Sequence, residues 1–491
     1  MGTRADQGVV AAGHPLTAEA GAEVLRAGGN AVDGALAAML MSFVTEALLT
    51  GLGAGGYMLV AGGDAEPVLL DFFVQAPSRR GDGREAELLA VDVSFGDAVQ
   101  VFYIGPASCG VYGNPAGVCA AAERWGSVPL SELAAPAARL AEQGVPLNAG
   151  QAYVAEILAD LLTSTPECAA LWAPSGHVLR EGETMRNPDL GEALRRLGRD
   201  GPEPFYRGDV AGAAGDWLAA RGGSLGTEDL AAYAAIEREP VRVRYRDREI
   251  LTNPPPSAGG VLLAYSLGLL DRGPSPPTIQ GTVDAMAAAQ AERGAAFMDG
   301  LADPGFLQSF MSSRLGSTTH ISVIDSDGMA CAVTCTNGEG SGVVVPGTGL
   351  HINNVMGEED LNPLGFHLHP AGRRMPSMMA PSVVLREGEV ELVLGSAGSN
   401  RIRSALLQTI VGVVDRGLGA EQAVQAPRLH FEDGVVYAEP GIDLDGIDPE
   451  LQAVRFGALN LFFGGVQAAL RRDGAVTGAG DPRRGGAAVL A

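Results

Sequence analysis

"RLGSTTHISVIDSDGMACAVTCTNGEGSG", residues 314–342, reads as two strands, 319–325 and 329–336, followed by a glycine-rich turn. A Thr-Thr-His pair-and-imidazole opens the first strand after a small, flexible Leu-Gly-Ser lead. Two readings stand at this point. Either the threonines form an ordinary strand edge, or Thr318 becomes a new N-terminus. A threonine hydroxyl is a weak nucleophile without a base, and the seven histidines make no obvious triad with it. If the bond before Thr318 is cut, its own α-amine, with a pKa of about 7.7–8, can take the hydroxyl proton near neutral pH. That device needs a small residue before the threonine, a flexible lead, and a strand after it to hold the new terminus.

The rest of the chain sets the frame. At 491 residues it is too long for one simple core and calls for one large α/β unit or two domains. With 34 basic and 58 acidic residues the net charge is −24, a field that disfavours nucleic acid and anionic membranes as partners. The N-terminal "MGTRADQGVVAAGHPL" lacks a basic flank followed by an apolar core, so no signal peptide is expected. No apolar run reaches the roughly 18 residues of a membrane span; residues 35–49 are apolar but short, carry Glu46, and predict a buried helix. Five scattered cysteines, Cys109, Cys119, Cys168, Cys331 and Cys335, suggest reduced thiols and a cytoplasmic protein. Cys331 and Cys335 share one strand face, yet no His or Cys cluster accompanies them, so no metal site is expected.

Thr17 is a plausible cap for a first helix, ended by Gly28-Gly29; Asn30 caps a second over 31–43. Residues 57–60 and the run "EPVLLDFFVQAP" make a β-hairpin. Helices are predicted at 116–125, 131–143, 149–163, 188–197, 208–221 and 227–235, then at 259–270 and from 278 to 300. Beyond 318 the pattern is strand-rich, with a helix at 401–416 and strands near 381–386, 390–395, 434–438, 466–471 and 486–490. Strand sets with helices on their outer faces predict an α+β chain built as an αββα sandwich. The polar stretch 303–317, "DPGFLQSFMSSRLGS", reads as a linker or cut site.

The segment "TTHISVIDSDGMACAVTCT" resembles the TTH-x-S-V-x-D-x-x-G-x-A-V-x-x-T block of the γ-glutamyltranspeptidase family of N-terminal-nucleophile hydrolases. "AGGNAVDGALA", "GLGAGGYM", "YGNPAGVCAAAERWGSVPL", "NPPPSAGGVLL", "LHINNVMGEED", "GSAGSNRI", "AVQAPRLH" and "DPRRGGAAV" match in family order across almost the whole chain. The resemblance implies self-cleavage between Ser317 and Thr318, giving a large subunit, 1–317, and a small one, 318–491, held together as a heterodimer. It implies Thr318 as nucleophile and Thr336 as its support. It places the oxyanion-binding backbone N–H groups at Gly398 and Ser399, where serine replaces a family glycine but keeps the N–H. No metal or organic cofactor is implied, and the partners are a small-molecule substrate and the chain's own two subunits.

The pattern breaks where the family holds the α-carboxylate of glutamate. The arginine of its D-F-R-E block is Phe73 here and the glutamate is Val74, and a bidentate fork is hard to replace. The family's Ser-Ser pair matches Ser377-Met378; its turn asparagine falls at Asn337 or Glu339; its "NNQMD" glutamine is Val355 and its acid falls near Glu358. These losses predict an apolar pocket lined by Phe73, Val74, Val355 and Met378, with Arg401 or Arg373-Arg374 recruiting an acid elsewhere. The implied activity is hydrolysis of a small non-γ-glutamyl substrate through an acyl-threonine. The bond is an amide or N-acyl bond, or a C–C bond beside a keto acid with oxalate release, as in relatives that build 4-alkyl-proline antibiotics. The alternatives are a conventional γ-glutamyl hydrolase or transferase, and an unprocessed, non-catalytic binding relative.

Overall fold

The computed structural model describes residues 8–63, 65–78, 88–94, 99–291, 319–362 and 365–491. Two antiparallel sheets form its centre. The first runs in the order Ala487–Leu490, Val9–Ala12, Thr319–Ile324, Ala330–Thr336, Gly55–Gly62, Ala65–Phe72, Ile236–Arg238. The second runs Ala475–Ala479, Gly465–Arg472, Glu389–Ala397, Ser382–Arg386, Arg248–Thr252, Val241–Tyr245.

Period-two alternation along the strands decides which layer each side chain joins. Val9, Tyr57, Leu59, Ala61, Ile324 and Ala332 point from the first sheet toward Leu251, Val383, Val393 and Ala469 of the second, closing one core between the sheets. Their neighbours Val10, Met58, Val60, Ile321, Val323 and Val333 point the other way, onto Pro15–Arg26, Ala31–Thr45 and the helical middle of the chain. On the far side Ile250, Val384, Leu392, Leu394 and Ala468 pack against Ala258–Asp271, Ile279–Ala291 and Arg401–Val414. The molecule is therefore the αββα sandwich that the strand and helix pattern predicts.

The helix Ala31–Thr45 is buried along its whole length, as an all-round apolar helix must be. Asn30 caps it in a reciprocal box with Asp33. The preceding helix starts earlier than expected. His14, not Thr17, is its cap, with Nδ1 accepting from Leu16 N at 3.2 Å. Thr17 is buried and bonds Glu46 and Thr45 instead.

Other expectations shift by smaller amounts. The helix expected at 149–163 is two, Ala149–Ile157 and Ala159–Leu162. The strands Val9–Ala12 and Ala475–Ala479 and the hairpin Leu89–Ser94 with Val99–Ile104 were not anticipated. Val9–Ala12 is buried on both faces, so its four apolar residues carry no alternation to read. Residues 303–317, Ser317 and Thr318 lie outside the described residues.

The topology gathers the site at one end of the sandwich. Thr319 begins a strand whose antiparallel neighbour ends at Thr336, and Ala397 ends a strand paired there with Gly465. The chain then turns through Gly398 and Ser399, at φ 119° and 51°, into the helix Arg401–Val414.

Candidate active site

Two adjoining clefts open where these strand ends meet. One holds about 760 Å³ of free space, partly open to solvent, and is lined by Thr336, Gly338, Glu339, Gly398, Ser399, Arg401 and Arg484 with the apolar Leu48, Leu49, Phe102, Ile157 and Phe462. The other holds about 790 Å³ of free space, also partly open to solvent, and is lined by Gly13, His14, Glu46, Gln151, Trp172, Thr319, Gln467 and again Arg484. Leu48, Leu49, Val154 and Leu461 also line both. The sequence therefore brings together Thr336, Glu339, Gly398, Ser399 and Arg401 on one wall.

Thr336 is buried and its Oγ1 accepts from Gly338 N at 2.8 Å, which fixes the first bend of the glycine-rich turn. Arg401 lies 4.2 Å above the Phe462 ring and 3.7 Å from the Glu432 carboxylate. Asn337 sits beneath the same turn with both side-chain polar atoms buried and without a hydrogen-bond partner. Glu358 is buried nearby, close to Gly338.

The remaining expected substrate contacts go elsewhere. Phe73, Val74 and Val355 are fully buried in the core between the sheets, and Met378 in the core under the outer helices. The apolar pocket expected from these four does not form, since their side chains are consumed by packing. Leu48, Leu49, Phe102, Val154 and Ile157 supply the apolar walls instead. Phe73 stacks on Tyr57 with ring centroids 5.5 Å apart. Ser377 turns its hydroxyl to Met379 N at 3.0 Å. Arg374 is equally engaged, donating to Phe73 O at 2.8 Å and pairing with Asp71 at 3.3 Å, so it is not placed to recruit an acid.

Two cleft residues escaped the sequence reading. Glu46 follows the helix Ala31–Thr45 as its C-cap and is buried. Its Oε1 accepts from Thr17 Oγ1 at 3.0 Å and its Oε2 from Thr319 Oγ1 at 2.8 Å, one residue beyond the candidate nucleophile. Burial pushes its carboxyl up to about 7, against the two hydroxyl bonds that favour the charged form. A lone acid in the apolar run 35–49 was the available signal. Arg484 is the other, the later of the two arginines in "DPRRGG".

The imidazole of the Thr-Thr-His motif is not a base in waiting. His320 lies between the sheets, with Nδ1 2.7 Å from Thr334 Oγ1 and Nε2 2.9 Å from Ser322 Oγ. Burial holds it neutral, with its pKa pushed down to about 3. It joins the strands rather than the chemistry. Among the described residues no group of three His, Cys, Asp or Glu side chains is placed to hold a metal ion, and no helix is long and apolar enough to cross a membrane.

Comparison with known proteins agrees with this architecture. The profile of the gamma-glutamyltranspeptidase family matches residues 17–317 and 307–491. The chain is 30% identical to the glutathione hydrolase proenzyme of Escherichia coli (strain K12), over 98% of this chain and 91% of that one. It is 32% identical to the acylase ACY 1 proenzyme of Pseudomonas sp. (strain SE83), over 89% and 84%. The crystal structure of cephalosporin acylase from Bacillus halodurans superposes with a TM-score of 0.85 at 24% identity, covering 99% of this chain and 96% of that chain. The chain thus belongs to the gamma-glutamyltranspeptidase family and is an N-terminal-nucleophile hydrolase.

Proposed function

We propose that the chain cleaves itself between Ser317 and Thr318 and then hydrolyses an amide or N-acyl bond of a small, non-γ-glutamyl substrate in the cytoplasm. Residues 1–317 and 318–491 are the two subunits. The Thr318 hydroxyl adds to the substrate carbonyl and its proton passes to the α-amine of the same residue. The tetrahedral oxygen is met by the N–H groups of Gly398 and Ser399. Collapse breaks the C–N bond, the departing amine takes the proton, and water then opens the acyl-threonine ester. Thr336 holds the turn behind the nucleophile.

The observation that carries the non-γ-glutamyl reading is Phe73. A family arginine at this position would present a fork to a carboxylate; here an aromatic ring is locked against Tyr57 in the core. The name acylase borne by a 32%-identical relative supports amide cleavage. The same steps break a C–C bond beside a keto acid when the departing carbanion is delocalised, releasing oxalate, as an antibiotic pathway building 4-alkyl-prolines requires.

The test is direct. The processed protein is incubated with N-acyl amino acids, a γ-glutamyl anilide and an oxalyl-bearing dihydropyrrole carboxylate. Amine release from the N-acyl compounds is the expected result. Oxalate release moves the reaction to C–C cleavage, and efficient glutamate release contradicts the reading of Phe73.

A further inference from the structure

We infer that Arg484 is an anion anchor in the substrate cleft, so that the acyl donor carries a carboxylate near the bond attacked. This rests on the reading of the cleft as an acyl-transfer site. Three arginines converge at this end of the molecule, and two are already neutralised. Arg428 Nη1 pairs with Asp481 Oδ2 at 2.7 Å, and Arg483 Nη1 with Asp481 Oδ1 at 3.1 Å. Arg483 also holds both oxygens of Glu439 through Nε and Nη2. Asp481 and Glu439 are thereby bonded by the other two arginines.

Arg484 is left over. Its Nη2 donates to the carbonyl of Leu461 at 3.3 Å, its Nε is buried without a partner, and it makes no ion pair among the described residues. Arg401 differs, since Glu432 and the Phe462 ring already hold it. A half-buried guanidinium with no carboxylate bonded directly to it is costly to keep, and desolvation here pushes its pKa down to about 10 against the attraction of Asp481 and Glu339. It stays cationic at neutral pH.

The position suits a ligand. Arg484 lines both clefts, and its Nη2 lies 3.6 Å from where a Cβ on Gly398 would stand, beside the candidate oxyanion loop. Gly465 makes the room, because a Cβ there would meet Arg484 Cδ at 2.4 Å. The charge that the family places at the Phe73 position is thus supplied from the opposite end of the chain. Glu339 lines the same cleft as a counter-charge without pairing with Arg484.

An anion held here is either a carboxylate of the bound substrate or the oxyanion formed during attack, and kinetics separate them. Wild type, Arg484→Gln and Arg484→Lys are compared on glutaryl-4-nitroanilide and on its uncharged methyl ester. Anchoring predicts that wild type prefers the charged probe. Arg484→Gln then loses roughly 10- to 100-fold in kcat/KM on it, mostly in KM, with the ester changed less than about threefold and the lysine variant intermediate. Equal kcat losses on both probes assign Arg484 to the oxyanion and overturn the anchor, as does an unchanged charge preference. A two-band enzyme that hydrolyses neither probe also overturns the anchor but leaves self-cleavage standing. A single band on a denaturing gel condemns the underlying reading instead.

Discussion

Glu46 places a titratable carboxyl inside the molecule with only hydroxyls for partners, Thr17 and Thr319. Its pKa near 7 lies above the roughly 4.3 of an unfolded chain. Between those values the folded protein keeps a proton that the unfolded chain releases. Glu46 therefore costs nothing at low pH and destabilises increasingly up to about pH 7, where the cost levels off at about 4 kcal/mol. Glu46→Gln is expected to stabilise the protein by about 2–3 kcal/mol at pH 8.5, with the gain fading toward pH 5, in denaturant titrations at both pH values. A gain independent of pH contradicts the assignment. Ser399 holds φ 51°, a left-handed conformation that costs a non-glycine residue about 1–2 kcal/mol. Ser399→Gly relieves that cost but adds chain entropy to the unfolded state, so a net gain of up to about 1 kcal/mol is predicted by the same titration. Thr336, Gly398 and Ser399 could be singled out in the sequence because they sit in local motifs. Glu46 showed only as a lone acid in an apolar run and Arg484 only as one arginine of a pair, because their meaning depends on partners far along the chain: Thr319 for the first, Gly398 and Leu461 for the second.

At the scale of elements, the strand Thr319–Ile324 is tied on both sides, to Val9–Ala12 and to Ala330–Thr336. It is tied across the sheets as well, where Ser322 Oγ donates to Gln467 O at 3.1 Å. His320 fills the space above Gly395, whose added Cβ would stand 2.2 Å from the imidazole. Gly395→Ala is predicted to destabilise by about 1–3 kcal/mol through overpacking. His320→Ala is predicted to cost about 2–4 kcal/mol, because it leaves a cavity and strips a partner from Thr334. Melting curves of the two variants check both figures, and losses below about 0.5 kcal/mol would falsify the packing described. Elements of this kind were legible wherever alternation or a helical period ran for several residues, as in 390–395 or 401–414. Short buried strands such as Val9–Ala12 were not, since burial on both faces erases the pattern. The family's broken glutamate motif was also visible, but not its consequence. The sequence showed that Phe73 replaces an arginine; only packing shows that the ring turns into the core.

Across the whole molecule, the segments before and after residue 318 are woven together rather than docked. Val9–Ala12 is held between Ala487–Leu490 and Thr319–Ile324, and Arg248–Thr252 pairs with Ser382–Arg386. Both central cores draw side chains from each segment. Cleavage at 317/318 is therefore predicted to leave one particle. The two subunits should co-elute on size exclusion even in 1 M NaCl, where charge attraction is screened to about 3 Å, because apolar burial holds them. Separation by salt alone contradicts that interleaving. The most direct test of the central claim, that residue 318 works as a free N-terminal threonine, is intact mass spectrometry of the active protein under denaturing conditions. The account predicts two polypeptides, the smaller beginning at Thr318, and one full-length chain for Thr318→Ala. Full activity from a single uncut chain of 50.3 kDa contradicts it.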